Sequence, residues 1–154
     1  MTIRLVPTTR DNWQDALRLQ VQDEQQRFVP SVAVSLAKVH IRPDGDNCAY
    51  EPFCLYDADE MVGFVMIAYD ASTDWCYWFN GFLIDHQYQG KGYGRAALSA
   101  IVDTVRNRFP QSRFVNLTVC PDNAGARHLY NQSGFEETGD VYDGEIVYRL
   151  SLIE

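Results

Sequence analysis

The chain has 154 residues, 46% of them hydrophobic and 22% charged, which is the composition of one globular domain over residues 1–154 and not of a disordered segment. A phosphate backbone would repel its formal net charge of −8, so nucleic acid is not an expected partner; the charge suits either plain solubility or an acidic cleft for a cationic substrate. Cys48, Cys54, Cys76 and Cys120 show no C-x-x-C spacing and no metal site is expected, while the absence of a membrane-length apolar run and of a secretion-signal core points to the cytoplasm with no membrane partner.

In chain order, Ile3 to Val6 reads as a strand stopped at Pro7. Thr9 or Asp11 then caps a helix with apolar residues at Trp13, Ala16, Leu17 and Val21, and Pro30 breaks the chain. Ser31 to Ile41 reads as a second helix before Pro43 and the turn Asp44-Gly45-Asp46-Asn47. The period then changes to two. Phe53 to Tyr56, Met61 to Tyr69 and Trp75 to Ile84 read as strands, the last interrupted by Asn80-Gly81. A hairpin at Asn80-Gly81 would leave only Phe82-Leu83-Ile84 as its second arm, so a bulge inside one strand is expected.

Arg95 to Phe109 is an amphipathic helix with its stripe at Leu98, Ile101, Val102, Val105 and Phe109, ended by Pro110. Phe114 to Val119 is a buried strand, Asp122 or Asn123 caps a helix through Ser133, and Gly134 is its C′ residue. Phe135 to Val141 and Ile146 to Leu152 close the chain as a hairpin through Asp143-Gly144. The order β-α-α-β-β-β-α-β-α-β-β predicts a mixed α/β protein.

The most informative stretch is Gln87-Tyr88-Gln89-Gly90-Lys91-Gly92-Tyr93-Gly94, between an apolar run and a helix. Three glycines in five residues let the backbone turn its N–H groups inward, and the helix start adds a positive dipole end, which together seat a phosphate or pyrophosphate. No P-loop string G-x-x-x-x-G-K-[ST] occurs. Gly90-x-Gly92-x-Gly94 has the wrong third spacing for a dinucleotide fingerprint. The third reading is coenzyme A, which needs such a seat beside a strand edge that can take its amide-rich arm.

Gln89-x-x-Gly92-x-Gly94 resembles the pyrophosphate motif of the GNAT superfamily of N-acetyltransferases, and Asn123-x-x-Ala126-x-x-Leu129-Tyr130 followed by Gly134-Phe135 resembles its second signature. The element order resembles that family's over almost the whole chain. The resemblance implies a mixed, mostly antiparallel sheet flanked by helices and splayed by a bulge in its central strand. It implies acetyl-CoA as cosubstrate and direct transfer to an amine, without a covalent enzyme intermediate. Main-chain N–H groups from Gly90 through Lys91, Gly92, Tyr93 and Gly94 to Arg95 would hold the pyrophosphate. The backbone around Leu83 and Ile84 would pair with pantetheine as an added strand, Asn123 would bond the same arm, and Tyr130 would protonate the departing thiolate. Homodimers are common in such folds.

Many relatives place a glutamate on the central strand as base; here Tyr77-Trp78-Phe79-Asn80-Gly81-Phe82 carries no carboxylate. Glu24, Glu51 or Asp85 acting through water, or bulk solvent, would take the proton. The segment Glu24-Gln25-x-x-Phe28-Val29 followed by Ser35-Leu36-Ala37 is similar to the small bacterial diamine and polyamine acetyltransferases, and the pair Asp23-Glu24 suits an ammonium group. A small amine acceptor is therefore expected. A protein lysine or N-terminal acceptor, or a cofactor sensor without turnover, remain the alternatives.

Overall fold

The structure, a computed structural model, describes residues 1–153. Seven strands form one sheet in the order β1-β2-β3-β4-β5-β7-β6: β1 (Ile3–Pro7), β2 (Ala49–Asp57), β3 (Glu60–Tyr69), β4 (Tyr77–Ile84), β5 (Phe114–Val119), β6 (Glu136–Tyr142) and β7 (Glu145–Ser151). Every neighbouring pair is antiparallel except β4 and β5. Helices α1 (Trp13–Leu17) and α2 (Val32–Ile41) cover one face; α3 (Tyr93–Arg108) and α4 (Ala124–Gln132) cover the other. The element order and the mixed, mostly antiparallel sheet are those read from the sequence.

β3 lies mid-sheet under both layers, and Val62 through Ala68 are all buried, which is why that stretch reads as a continuous apolar run. The stripe of α3 (Ala97, Leu98, Ile101, Val102, Val105) packs with Tyr77 and Phe79 of β4 and Val115 and Leu117 of β5. On the opposite face Ala16, Leu19 and Val32 meet Phe64, Met66 and Leu83.

Several boundaries differ from expectation; β4 begins at Tyr77 and not at Trp75, and some ends shift by one residue. The first helix stops at Leu17, so Val21 lies beyond it, and neither Thr9 nor Asp11 caps it; its N-cap is Asn12. The cause is tertiary: Gln20 N donates to Asp85 Oδ1 at 2.9 Å and His86 N donates to Gln20 O at 2.7 Å, which withdraws that peptide from any helix. β2 begins at Ala49, through Pro52. Thr8 N donates to Pro52 O at 2.9 Å, so the side from which proline lacks an N–H faces past the end of β1 and no ladder bond is lost. α3 begins at Tyr93 instead of Arg95, with Gly92 as its N-cap in the left-handed region.

The bulge expected in β4 is present. Phe64 pairs with Leu83 and Met66 with Asn80, so Gly81 and Phe82 together oppose Val65. Gly81 has φ +60°, and a Cβ there would lie 2.6 Å from Ser35 Oγ, so conformation and space both demand glycine. The extra residue reverses the alternation of the strand. Tyr77 and Phe79 face α3 before it and Phe82 and Ile84 face α3 after it, while Trp78 and Leu83 face α1 and α2.

Candidate active site

β4 and β5 share a single pairing, Trp78 with Asn116. Asn116 Nδ2 donates to Tyr77 O at 3.2 Å and Arg149 Nε donates to Asn116 Oδ1 at 2.7 Å, which closes the two strands at that end. Beyond it β4 is without a β5 partner, and the strands diverge into a wedge open toward Ile84. Asp85 N donates to Val62 O at 2.8 Å, so Ile84, the next residue back, turns its main-chain groups away from β3 and into the wedge. Leu83 differs: its main chain is directed at Phe64, and its buried side chain belongs to the α1/α2 face.

The glycine segment sits at the mouth of this wedge. Gly90 (φ +76°) and Gly92 (φ +89°) take conformations that L side chains rarely adopt. No side chain caps α3, so the first-turn N–H groups are left for an external acceptor. Gly94 approaches Leu129 of α4, where a Cβ would stand 3.5 Å from Leu129 Cδ2. Tyr93 Oη donates to Asp57 Oδ2 at 2.6 Å and pins the start of α3 to the β2–β3 turn; that carboxylate pushes the phenol up to about 12. Lys91 is exposed over the Tyr88 ring, and Arg95 reaches Gln132 on α4. Gln89 points the other way: its Nε2 donates to Ile84 O and to Gln25 Oε1, both at 2.9 Å.

On the α4 side, Asn123 Oδ1 caps the helix by accepting from Ala126 N at 3.3 Å, which leaves its Nδ2 to donate elsewhere. Tyr130 is 7% exposed, among the rings of Phe79, Phe135 and Tyr148 at 5.9–6.3 Å. Burial alone drives its phenol well above the ordinary value. It is therefore protonated at neutral pH, as a proton donor must be.

On the α1/α2 face a cavity of about 320 Å³ abuts Leu83, lined also by Leu17, Leu19, Val21, Val29 and Pro30 with Gln20, Gln26 and Ser31 at its polar side. Asp23 and Glu24 stand exposed on a 3-10 turn (Asp23–Gln25) in the α1–α2 segment, outside that lining. Two oxygens beside Gly81, Ser35 Oγ and Asn80 Oδ1, are buried without a hydrogen-bond partner among the described residues. The sequence singled out Asn80 for the carboxylate it lacks and marked Ser35 within Ser35-Leu36-Ala37, but only the bulge brings the Ser35 hydroxyl against Gly81.

The other two carboxylates considered as base are engaged elsewhere. Glu51 accepts from both Arg108 Nη atoms at 2.7 and 2.8 Å and from Tyr69 Oη, and Arg108 holds its carboxyl below the usual range. Arg108 ends α3, roughly 22 Å along the axis from Tyr93 at 1.5 Å per residue. Asp85 is buried and accepts from Gln20 N and, at 3.2 Å, from Gln87 N. Arg127 is likewise held by Pro121 O, Tyr148 Oη and Glu137. Among the described residues no group of three or more His, Cys, Asp or Glu is placed to hold a metal, and no helix is long and apolar enough to cross a membrane.

Comparison with known proteins bears on the family and the fold. Residues 12–135 match the acetyltransferase (GNAT) family. The spermine/spermidine N(1)-acetyltransferase of Bacillus subtilis strain 168 is 31% identical over 154 residues, covering 96% of this chain and 97% of that protein. Among solved structures, spermidine N-acetyltransferase from Vibrio cholerae in complex with CoA and spermine superposes with TM-score 0.72 at 19% identity, over 98% of this chain and 95% of that one. AAC(6')-Ib in complex with ribostamycin and coenzyme A gives TM-score 0.77 at 15% identity, over 99% and 94%. At those identities the structural likenesses speak for the fold.

Proposed function

The chain belongs to the GNAT acetyltransferase family and is an acetyl-CoA-dependent N-acetyltransferase, and from that premise we propose that its acceptor is a small polyamine or diamine, acetylated by direct attack within a single cytoplasmic domain. The observation that carries this reading is the cavity against Leu83: at about 320 Å³ it lies at the small end of ligand sites, and its aliphatic side chains alternate with the polar groups of Gln20, Gln26 and Ser31, as a methylene chain carrying amines requires. The 31% identity to a spermine/spermidine N(1)-acetyltransferase supports it.

Acetyl-CoA supplies the activated acyl group. Gln89 through Arg95 hold its pyrophosphate on the free amides of the α3 start, with Gly90, Gly92 and Gly94 allowing close approach. Ile84 offers its main-chain N–H as a strand edge while its carbonyl is held by Gln89 Nε2, the Leu83 side chain walls the acceptor cavity, and Asn123 Nδ2 donates to the pantetheine arm. Tyr130 gives its proton to the sulfur as negative charge develops there. Asp23 and Glu24 draw in the cationic chain, and Glu24 receives the ammonium proton through water. With no carboxylate on β4, positioning carries much of the rate.

An acceptor panel tests this: thiol release from acetyl-CoA with spermidine, spermine, diamines of increasing length, lysine peptides and free N-terminal peptides. Turnover of a polyamine or diamine well above every peptide is expected. Turnover confined to peptides overturns the acceptor, and cofactor binding without thiol release for any amine overturns catalysis.

A further inference from the structure

Gln25 stands between the two sites. Its Oε1 accepts from Gln22 N at 3.1 Å within its own 3-10 turn and from Gln89 Nε2 at 2.9 Å across 64 residues of sequence. The second N–H of the same Gln89 amide goes to Ile84 O, so both of its donors are used, and its Oε1 accepts from Gln22 Nε2 at 3.4 Å. Gln89 thus ties together the end of β4, the start of the glycine segment and the turn that carries Asp23 and Glu24. A few residues upstream the Gln20 peptide is clamped by Asp85 Oδ1 and by His86 N. At the far end of the segment Arg27 meets Asp122, next to Asn123, at 2.8 Å. The α1–α2 segment therefore crosses the mouth of the wedge with a fastening on each side.

The fastenings differ in character. Arg27 and Asp122 are both more than 60% exposed, and such a pair contributes little and is screened by salt. The Gln25–Gln89 bond is partly buried and directional, and it joins the residue next to Glu24 to the residue next to Gly90. Anything that fixes Gly90 to Arg95 fixes Gln89, and through Gln25 the position of Glu24.

We propose that Gln25 is a positioning residue that couples the two substrates: occupation of the glycine segment by the cofactor orders the Asp23–Gln25 turn through the Gln89–Gln25 hydrogen bond and so raises affinity for the amine. The proposal rests on the assignment of Gly90–Arg95 to the pyrophosphate and of Asp23 and Glu24 to the acceptor. Coupling is reciprocal, so the amine must raise affinity for the cofactor by the same factor.

Two variants separate coupling from simple damage. Gln25→Leu removes the acceptor oxygen; Gln25→Glu keeps an oxygen for both Gln22 N and Gln89. Hydrogen exchange of the segment 20–28 is measured with and without CoA in all three proteins, and the CoA-dependent change is the readout. Protection on adding CoA is expected in the wild type and in Gln25→Glu and is expected to be lost in Gln25→Leu. Equal CoA-induced protection in Gln25→Leu, or none in the wild type, overturns the proposal whichever amine is the acceptor. Calorimetry with spermidine, free and CoA-saturated, adds the affinity side: a wild-type gain of about 5-fold or more that falls toward unity in Gln25→Leu, with binary CoA affinity lowered by no more than the same factor. Spermidine that fails to bind in any state overturns the acceptor assignment, while the exchange data still decide the coupling.

Discussion

The proposed mechanism places the proton donor in one hydroxyl, that of Tyr130. Tyr130→Phe keeps the ring that packs on Phe79, Phe135 and Tyr148, so the fold should survive. Its kcat should fall roughly 10- to 1000-fold, the lower to middle range of general-acid effects, with acetyl-CoA affinity nearly unchanged; wild-type turnover by the mutant returns Tyr130 to the core. An unperturbed phenol would bring an alkaline decline near pH 10, but burial raises this one, so no Tyr130-linked fall in rate is expected below about pH 10. The sign for stability follows from the same shift. The folded state holds the proton more tightly than the unfolded state, so the contribution is complete below the unfolded pKa and is lost as pH climbs through the folded one. Glu51 makes the opposite case. Held down by Arg108, its carboxylate stabilises the fold above the unfolded pKa, and that contribution fades as pH drops through the folded value. Both side chains of the pair are more than a third exposed, so Glu51→Gln should cost at most about 1 kcal/mol by denaturant titration. Unchanged kcat/KM in that variant is the expected result; a large loss would restore Glu51 as a base.

Among the elements, β4 has the most demanding geometry. Its bulge turns Leu83 to the cavity on the α1/α2 face while Phe82 and Ile84 stay on the α3 side, and the loss of β5 pairing beyond Trp78 opens the wedge. Gly81→Ala adds a left-handed φ penalty and a Cβ 2.6 Å from Ser35 Oγ, for a destabilisation of roughly 2–4 kcal/mol. Ser35 Cβ stands 3.6 Å from the same point, an ordinary contact, so Ser35→Ala should recover part of the loss in the double variant. Ser35→Ala alone removes a buried hydroxyl with no partner, and should be neutral or stabilising. A double-mutant cycle by thermal unfolding measures all three; strict additivity would mean that the contact does not govern the bulge.

For the molecule as a whole, one sheet with a helical layer on each face makes cofactor binding and global stability a single equilibrium. CoA at 100 times its dissociation constant should add about 2.7 kcal/mol, or roughly 5–10 °C in Tm for a chain of this size. Gly92→Val should abolish the shift. Space at Gly92 is open, with only Met1 Cε at 4.0 Å from an added Cβ, but φ +89° is unsuited to a β-branched residue and the proposed phosphate seat would be displaced. A full CoA-induced shift in Gly92→Val would remove the pyrophosphate from this loop.

The sequence by itself determined the element order, the bulge and the glycine turn that opens α3, because each is written in local chemistry: a period of two or 3.6, an Asn-Gly inside a strand, glycines before a helix. It also placed Tyr130 and Asn123 on the right helix, since a motif is a local string. Tertiary structure alone decided where α1 ends, because the bonds that withdraw Gln20 come from Asp85 and His86. It alone gave Glu51 and Asp85 their partners, Arg108 and the Gln20 amide, which are far away in sequence. The Gln25–Gln89 bond belongs to the same class. Long-range hydrogen bonds leave no period in a sequence, so a carboxylate or an amide takes its role only once folding has chosen its partner.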